Sequence, residues 1–100
     1  MKRKVVVICG SYRFERLMLE EAERLELEEG YAVIGVLPHV LDRELTPEEK
    51  ELLGEIHLDK IDLADSVYVV NPDGYIGKSV SKEIAYAMEK GKEILYFDKK

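Results

Sequence analysis

Short apolar runs alternate along the chain with longer segments in which apolar residues recur every three or four positions. Val5-Val6-Val7-Ile8-Cys9 is continuous and mostly β-branched, the pattern of a strand buried on both faces of a parallel sheet. Over residues 13–29, Phe14, Leu17, Met18, Ala22 and Leu25 fall at helical spacing among Glu and Arg, which predicts an amphipathic helix whose glutamates form its solvated face. Gly30 suits the residue after the last turn, and residues 31–37 supply a second strand closed by Pro38. Residues 38–45, with His39, Asp42 and Arg43, show no period and read as a loop. Thr46-Pro47-Glu48-Glu49 combines an N-cap, a proline at the first helical position and first-turn acids, so a helix begins there. It carries Leu53, Ile56, His57, Ile61 and Ala64 along one side and breaks or bends near Asp62. A third strand follows at residues 67–70, a third helix at 81–90 ending at Gly91, and a fourth strand at 93–97. The helical crossovers are long enough for parallel pairing, so the pattern predicts an α/β layered protein with a four-stranded parallel sheet in the order 2-1-3-4.

Composition narrows the partners. The 100 residues make one domain, 1–100, without repeats or linkers. A formal charge of -6 argues against a nucleic acid polymer, which is held by clustered Lys and Arg, so any phosphate ligand must be bound locally. The single cysteine, Cys9, excludes an intrachain disulfide. Met1-Lys2-Arg3-Lys4 leads into an apolar run too short for a signal peptide or a membrane span, and a cytoplasmic protein without membrane contact is expected.

In parallel sheets ligands bind beyond the carboxyl ends of the strands, where the strand order reverses. Here that crevice lies between the first and third strands. It would collect Gly10, Ser11, Tyr12 and Arg13 from one side and residues 71–83 from the other, with Pro38 and His39 at its edge. In the second stretch Asn71 and Pro72 end the strand, Gly74, Tyr75 and Gly77 form a loop, and Ser79 or Ser81 caps the next helix. Free backbone amides at such a helix start suit an anion. Glu83 then falls in the first turn, either as an acid that complements the helix dipole or as a carboxylate kept ionised for nucleophilic work. Ser11 and Arg13 read as a cap and a surface charge, or as a phosphate seat. Asp65 and Asp73 flank the third strand, and either reads as a turn former, or as a general acid or hydroxyl acceptor. His57, on an apolar helical face, reads as a packed histidine. His39, His57 and one cysteine make no metal-ligand spacing, so no metal site is expected. Dinucleotide and triphosphate loops are absent as motifs, and no cofactor is expected.

Three stretches also match a known pattern: Cys9-Gly10-Ser11-Tyr12-Arg13-Phe14, Leu58-Asp59-Lys60-Ile61-Asp62-Leu63-Ala64-Asp65-Ser66-Val67, and Gly74-Tyr75-Ile76-Gly77-Lys78-Ser79 continuing to Glu83-Ile84-Ala85-Tyr86-Ala87. In this order they resemble the nucleoside 2-deoxyribosyltransferase-like superfamily over nearly the whole chain, nearer its small bacterial branch than the transferases themselves. The resemblance implies a flavodoxin-like three-layer sandwich and a carboxylate that attacks C1′ of a nucleoside or nucleotide, expelling the base. Glu83 occupies the nucleophile's position and Asp65 that of an aspartate that helps hold base or sugar; Asp73 is the candidate proton donor to the leaving base. The logic is that of a retaining glycosidase, with the carboxylate trapping an oxocarbenium-like transition state. The transferases carry an aspartate where this chain has Gly77, and they extend past the fourth strand. The superfamily's nucleotide N-glycosidases, with a Gly-Ser-x-Arg loop for a 5′-phosphate, match Gly10-Ser11-Tyr12-Arg13 better, with Ser79 and Ser81 in support. Hydrolysis of a nucleoside 5′-monophosphate to free base and sugar phosphate is therefore the expectation, and the resemblance further implies a homodimer or higher homo-oligomer with helix-mediated contacts.

Alternatives stay open. A nucleoside deoxyribosyltransferase would use the same Glu83. A nucleotide-binding module of the same fold would keep the glycine loops without needing Glu83. The lysine-decarboxylase-like phosphoribohydrolases share a loop followed by glutamate on a helix, but their Pro-Gly-Gly entry is missing here. A structural domain would show an empty or poorly formed crevice.

Overall fold

A computed structural model describes residues 2–35 and 42–99. Four parallel strands, β1 (Val5–Gly10), β2 (Ala32–Ile34), β3 (Ser66–Val70) and β4 (Glu93–Tyr96), form one sheet in the order β2-β1-β3-β4. Helices α1 (Glu15–Arg24), α2 (Pro47–Leu63) and α3 (Lys78–Glu89) connect them, giving the expected flavodoxin-like α/β sandwich. No described helix is long and apolar enough to cross a membrane.

The period-2 alternation of the strands sorts the core into two halves. Val6, Ile8, Tyr68 and Val70 pack with Met18 and Leu25 on the α1 face. Val7, Cys9, Val67 and Val69 pack with Ile61, Ala64, Val80 and Ala87 on the face covered by α2 and α3. Gly10 ends β1 where the α1 layer comes in close: a Cβ there would sit 2.8 Å from Met18 Sδ and 3.3 Å from Val70 O.

The helical segment at 13–29 is wound in three ways, with a 3-10 turn at Tyr12–Phe14, α1, and a π-turn at Leu25–Glu29. One of its glutamates departs from the expected solvated face. Glu21 is buried, accepts the Tyr68 hydroxyl at 2.7 Å and pairs with Arg24 at 3.1 Å. Burial and the Glu21 carboxylate push the Tyr68 phenol up to about 12.

At the start of α2, Thr46 Oγ1 accepts from the Glu49 amide at 3.1 Å and Glu49 Oε1 accepts from the Thr46 amide at 2.9 Å, a reciprocal capping box. Arg43 clamps the same carboxylate with two bonds of 2.8 Å, so Glu49 is held down at about 2. The helix runs unbroken to Leu63, and Ala64, not a bend at Asp62, ends it. Of its expected apolar stripe, His57, Ile61 and Ala64 are buried, whereas Leu53 and Ile56 are exposed.

Two boundaries differ from expectation. β2 is described only as far as Ile34, and the closing residues 36–41, including Pro38 and His39, lie outside the described residues. The helix after β3 begins at Lys78, with Gly77 as its N-cap and no capping side chain, so neither Ser79 nor Ser81 caps it. Both serines fall inside the helix, where they cannot occupy the extended conformation a cap needs.

Candidate active site

The reversal of strand order puts the carboxyl ends of β1 and β3 side by side, with Gly10 opposite Val70. A cavity of about 440 Å³ opens above them. Its walls come from the turn after β1 (Gly10, Ser11, Tyr12), from α2 (Lys50, Leu53, Gly54, His57) and from α3 with the loop before it (Tyr75, Gly77, Lys78, Ser79, Val80, Glu83). The two loops expected to converge do so.

Each wall is held from below. Ser11 is the N-cap of the 3-10 turn, its hydroxyl accepting from the Arg13 amide at 3.3 Å. Arg13 stacks over the Tyr75 ring at 4.9 Å, and Phe14 meets the same ring edge-on at 5.8 Å, so these side chains tie the two loops together. Asp73, at φ 56, and Gly74, at φ 77, turn the chain between β3 and the cavity wall. The first backbone hydrogen bond of α3 runs from the Ser81 amide to Gly77 O at 2.9 Å, which leaves the amides of its first turn without an intrahelical acceptor. They face the same end of the sheet as Lys78 and Ser79.

At the base of the cavity three side chains from three elements meet. Cys9 of β1 is fully buried, and its Sγ lies 3.1 Å from His57 Nε2 of α2. His57 Nε2 lies 3.7 Å from Glu83 Oε1 of α3, and one ligand atom from each of the three falls within 4.8 Å of the others. Burial governs their charge. It pushes His57 down to about 4, with Lys60 adding to the effect, and Glu83 up to about 7, offset in part by the hydrogen bond from Cys9. Burial and the Glu83 carboxylate also raise the Cys9 thiol well above its ordinary value. The His57–Glu83 approach is therefore no ion pair at neutral pH, because the imidazole is uncharged there.

Glu83 also stands in the second turn of α3, not the first, since the helix begins at Lys78. The helix dipole fades within the first turn, so the expectation that it keeps Glu83 ionised gives way to control by burial.

The expected site residues separate into two groups. Gly10, Ser11, Tyr12, Tyr75, Gly77, Ser79 and Glu83 line the cavity, and Arg13 braces its rim. The others lie elsewhere. Asp65 is at the amino end of β3, where its Oδ2 accepts from the Val5 amide at 2.8 Å. Asn71 is buried and clasps the backbone of Asp98 with bonds of 2.8 and 3.1 Å, pinning the end of β4. Asp73 and Gly74 are exposed in their turn, and Ser81 is exposed on α3; none of the three lines the cavity. His57, read as a packed histidine, is indeed buried, but it also borders the cavity beside Glu83. No local signal announces the Cys9-His57-Glu83 grouping, which joins residues 48 positions apart from β1 to α2 alone.

Fold and cavity together define a flavodoxin-like α/β protein with a concave pocket at the carboxyl edge of its sheet. No protein-family model matches the chain, and no curated protein matches it. Its structure is similar to that of a conserved protein from Enterococcus faecalis V583, with a TM-score of 0.64 and 12% sequence identity over 95% of this chain. The chain spans 63% of the length of that protein, and at this identity the likeness shows the fold alone.

Proposed function

We propose that the protein cleaves the N-glycosidic bond of a nucleoside 5′-monophosphate, with Glu83 as the nucleophile. The observation that carries the reading is the placement of the Glu83 carboxylate at the base of a cavity of about 440 Å³ whose rim is the uncapped start of α3. Free amides of that first turn, with Lys78 and the Ser11 and Ser79 hydroxyls, form an anion seat suited to the 5′-phosphate. A ribose spanning from this seat towards Glu83 presents C1′ to the carboxylate. Attack at C1′ by the Glu83 carboxylate breaks the bond to the base, which leaves taking a proton from solvent water; a second water then hydrolyses the glycosyl ester, releasing sugar phosphate, restoring the carboxylate and returning a proton to solvent. The protein is read as a cytoplasmic enzyme. Leu52 and Ile56, exposed one turn apart on α2 and outside the cavity lining, support a homo-oligomer with a helix-mediated interface.

The test incubates the protein with ribo- and deoxyribonucleoside 5′-monophosphates and follows free base by chromatography, with Glu83→Gln alongside. Base release that disappears in Glu83→Gln supports the reading. A second reading, a nucleotide-binding module, draws on the rise of Glu83 to about 7, which leaves a weaker supply of carboxylate at neutral pH. Nucleotide binding without base release, unchanged by Glu83→Gln, would favour it.

A further inference from the structure

We propose that Cys9, His57 and Glu83 form a binding site for a zinc-class divalent cation at the base of the cavity. The inference stands on the triad itself and does not need the nucleotide reading. Sulfur, imidazole nitrogen and carboxylate oxygen make a mixed donor set that suits zinc, whereas Mg²⁺ and Ca²⁺ want oxygen alone. The spacing also suits it. A tetrahedral zinc with bonds of ~2.3 Å to sulfur and ~2.0 Å to nitrogen or oxygen sets its ligand atoms about 3.3 to 3.6 Å apart. Here sulfur and nitrogen are 3.1 Å apart, nitrogen and oxygen 3.7 Å, and all three atoms lie within 4.8 Å of one another.

The ligands come from a strand and two helices rather than from loops, so the backbone holds them in place before any ion arrives. His57 and Glu83 border the cavity, which supplies an entry path and an open fourth position for water or another ligand. Coordination displaces the thiol proton of Cys9 to solvent and puts a thiolate on the metal. An occupied site also takes the Glu83 carboxylate as a ligand, so metal binding and attack by that carboxylate exclude one another.

The experiment uses Co²⁺ as a spectroscopic probe and Zn²⁺ in competition with a chromophoric chelator, on untagged full-length protein under reducing conditions without nucleotide. The expected result is one Co²⁺ per chain, with thiolate-to-cobalt charge-transfer absorption and the strong visible bands of a tetrahedral centre. Zn²⁺ should displace it. Cys9→Ala should abolish the charge-transfer band, and Cys9→Ala and His57→Gln should each weaken Zn²⁺ binding at least about 100-fold, losing a ligand where an outer-shell change costs only 10 to 100-fold. Absence of the charge-transfer band in the wild-type protein overturns the proposal, and does so even if a variant fails to fold. Zn²⁺ affinity unchanged in both folded variants also overturns it. Because no nucleotide is present, failure here is distinct from failure of the glycosidase reading.

Discussion

Glu83 and Glu93 sit on consecutive elements, α3 and β4, yet at opposite ends of the sheet, and their surroundings drive them apart. At the amino ends Glu93 takes hydrogen bonds from Lys4 and from the Ser66 hydroxyl, both at 2.6 Å, and these partners lower its pKa. Asp65, beside it, accepts from the Val5 amide and so ties β3 to β1. At the carboxyl ends Glu83 faces a thiol and an uncharged imidazole, and burial lifts it to about 7. One edge of the sheet spends its carboxylates on holding strands together; the other keeps one buried beside a cavity, where desolvation raises its pKa, a combination associated with functional sites. A shifted pKa thus has opposite meanings at the two ends.

The sharpest way to break this contrast is Glu83→Gln, whose amide cannot form the glycosyl ester and which should reduce base release by roughly 10⁴- to 10⁶-fold, the span seen on removing a covalent nucleophile or its partners. A glutamine variant that keeps its rate would end the case for a nucleophile at that edge.

The next effect is on stability and depends on pH. With its folded-state pKa raised from 4.5 to about 7, Glu83 contributes stability that is complete below 4.5 and is lost as pH rises through 7. Denaturant unfolding of wild type and Glu83→Gln, with a chelator present, should therefore show the variant gaining on the wild type by about 1 to 3 kcal/mol between pH 4.5 and 8. His57, lowered to about 4, works the other way, stabilising above its ordinary 6.5 and losing that contribution as pH falls through 4. Comparing two proteins that both retain His57 removes most of its effect. A flat difference across this range would mean that Glu83 is better solvated than its burial implies.

At the amino edge, Asp65→Ala removes the acceptor of the Val5 amide and should cost about 1 kcal/mol in unfolding free energy, with base release per folded molecule unchanged. A loss of activity comparable to that of Glu83→Gln would restore the site role that the superfamily resemblance assigns to Asp65. The smallest effect belongs to Glu93→Gln. Its ion pair with Lys4 is half exposed and screened by solvent, so the cost should be about 0 to 1 kcal/mol at pH 7 and smaller in 1 M salt. Because the Glu93 pKa is lowered, that contribution should vanish as pH falls below the ordinary carboxylate range.

Much of the fold was legible in the chain. The Val5 to Cys9 run, short and β-branched, read as a buried strand, and Thr46-Pro47-Glu48-Glu49 marked the start of α2 because a capping box is written in adjacent residues. The convergence of the Gly10-Ser11 and Gly77 to Ser79 loops followed from strand order. The start of α3 was harder. A serine at either of two positions resembles a cap, but the chain enters the helix earlier, at Gly77, which has no side chain to announce it. Asp65 and Asn71 looked like site residues from their places beside β3, whereas their partners, Val5 and Asp98, come from strands or tails distant in sequence.

What the sequence determined by itself was the alternation of elements, the parallel sheet and the two loops that meet at its carboxyl edge, because each rests on periodicity and on residues a few positions apart. The tertiary structure alone decided which polar residues meet. It brought Cys9, His57 and Glu83 to one point, buried Glu21 against Tyr68 and Arg24, and sent Asp65 to the far edge. The physical reason is desolvation: whether a carboxylate is a surface charge, a clasp or a reactive group depends on the water and partners around it, and three-dimensional packing sets both.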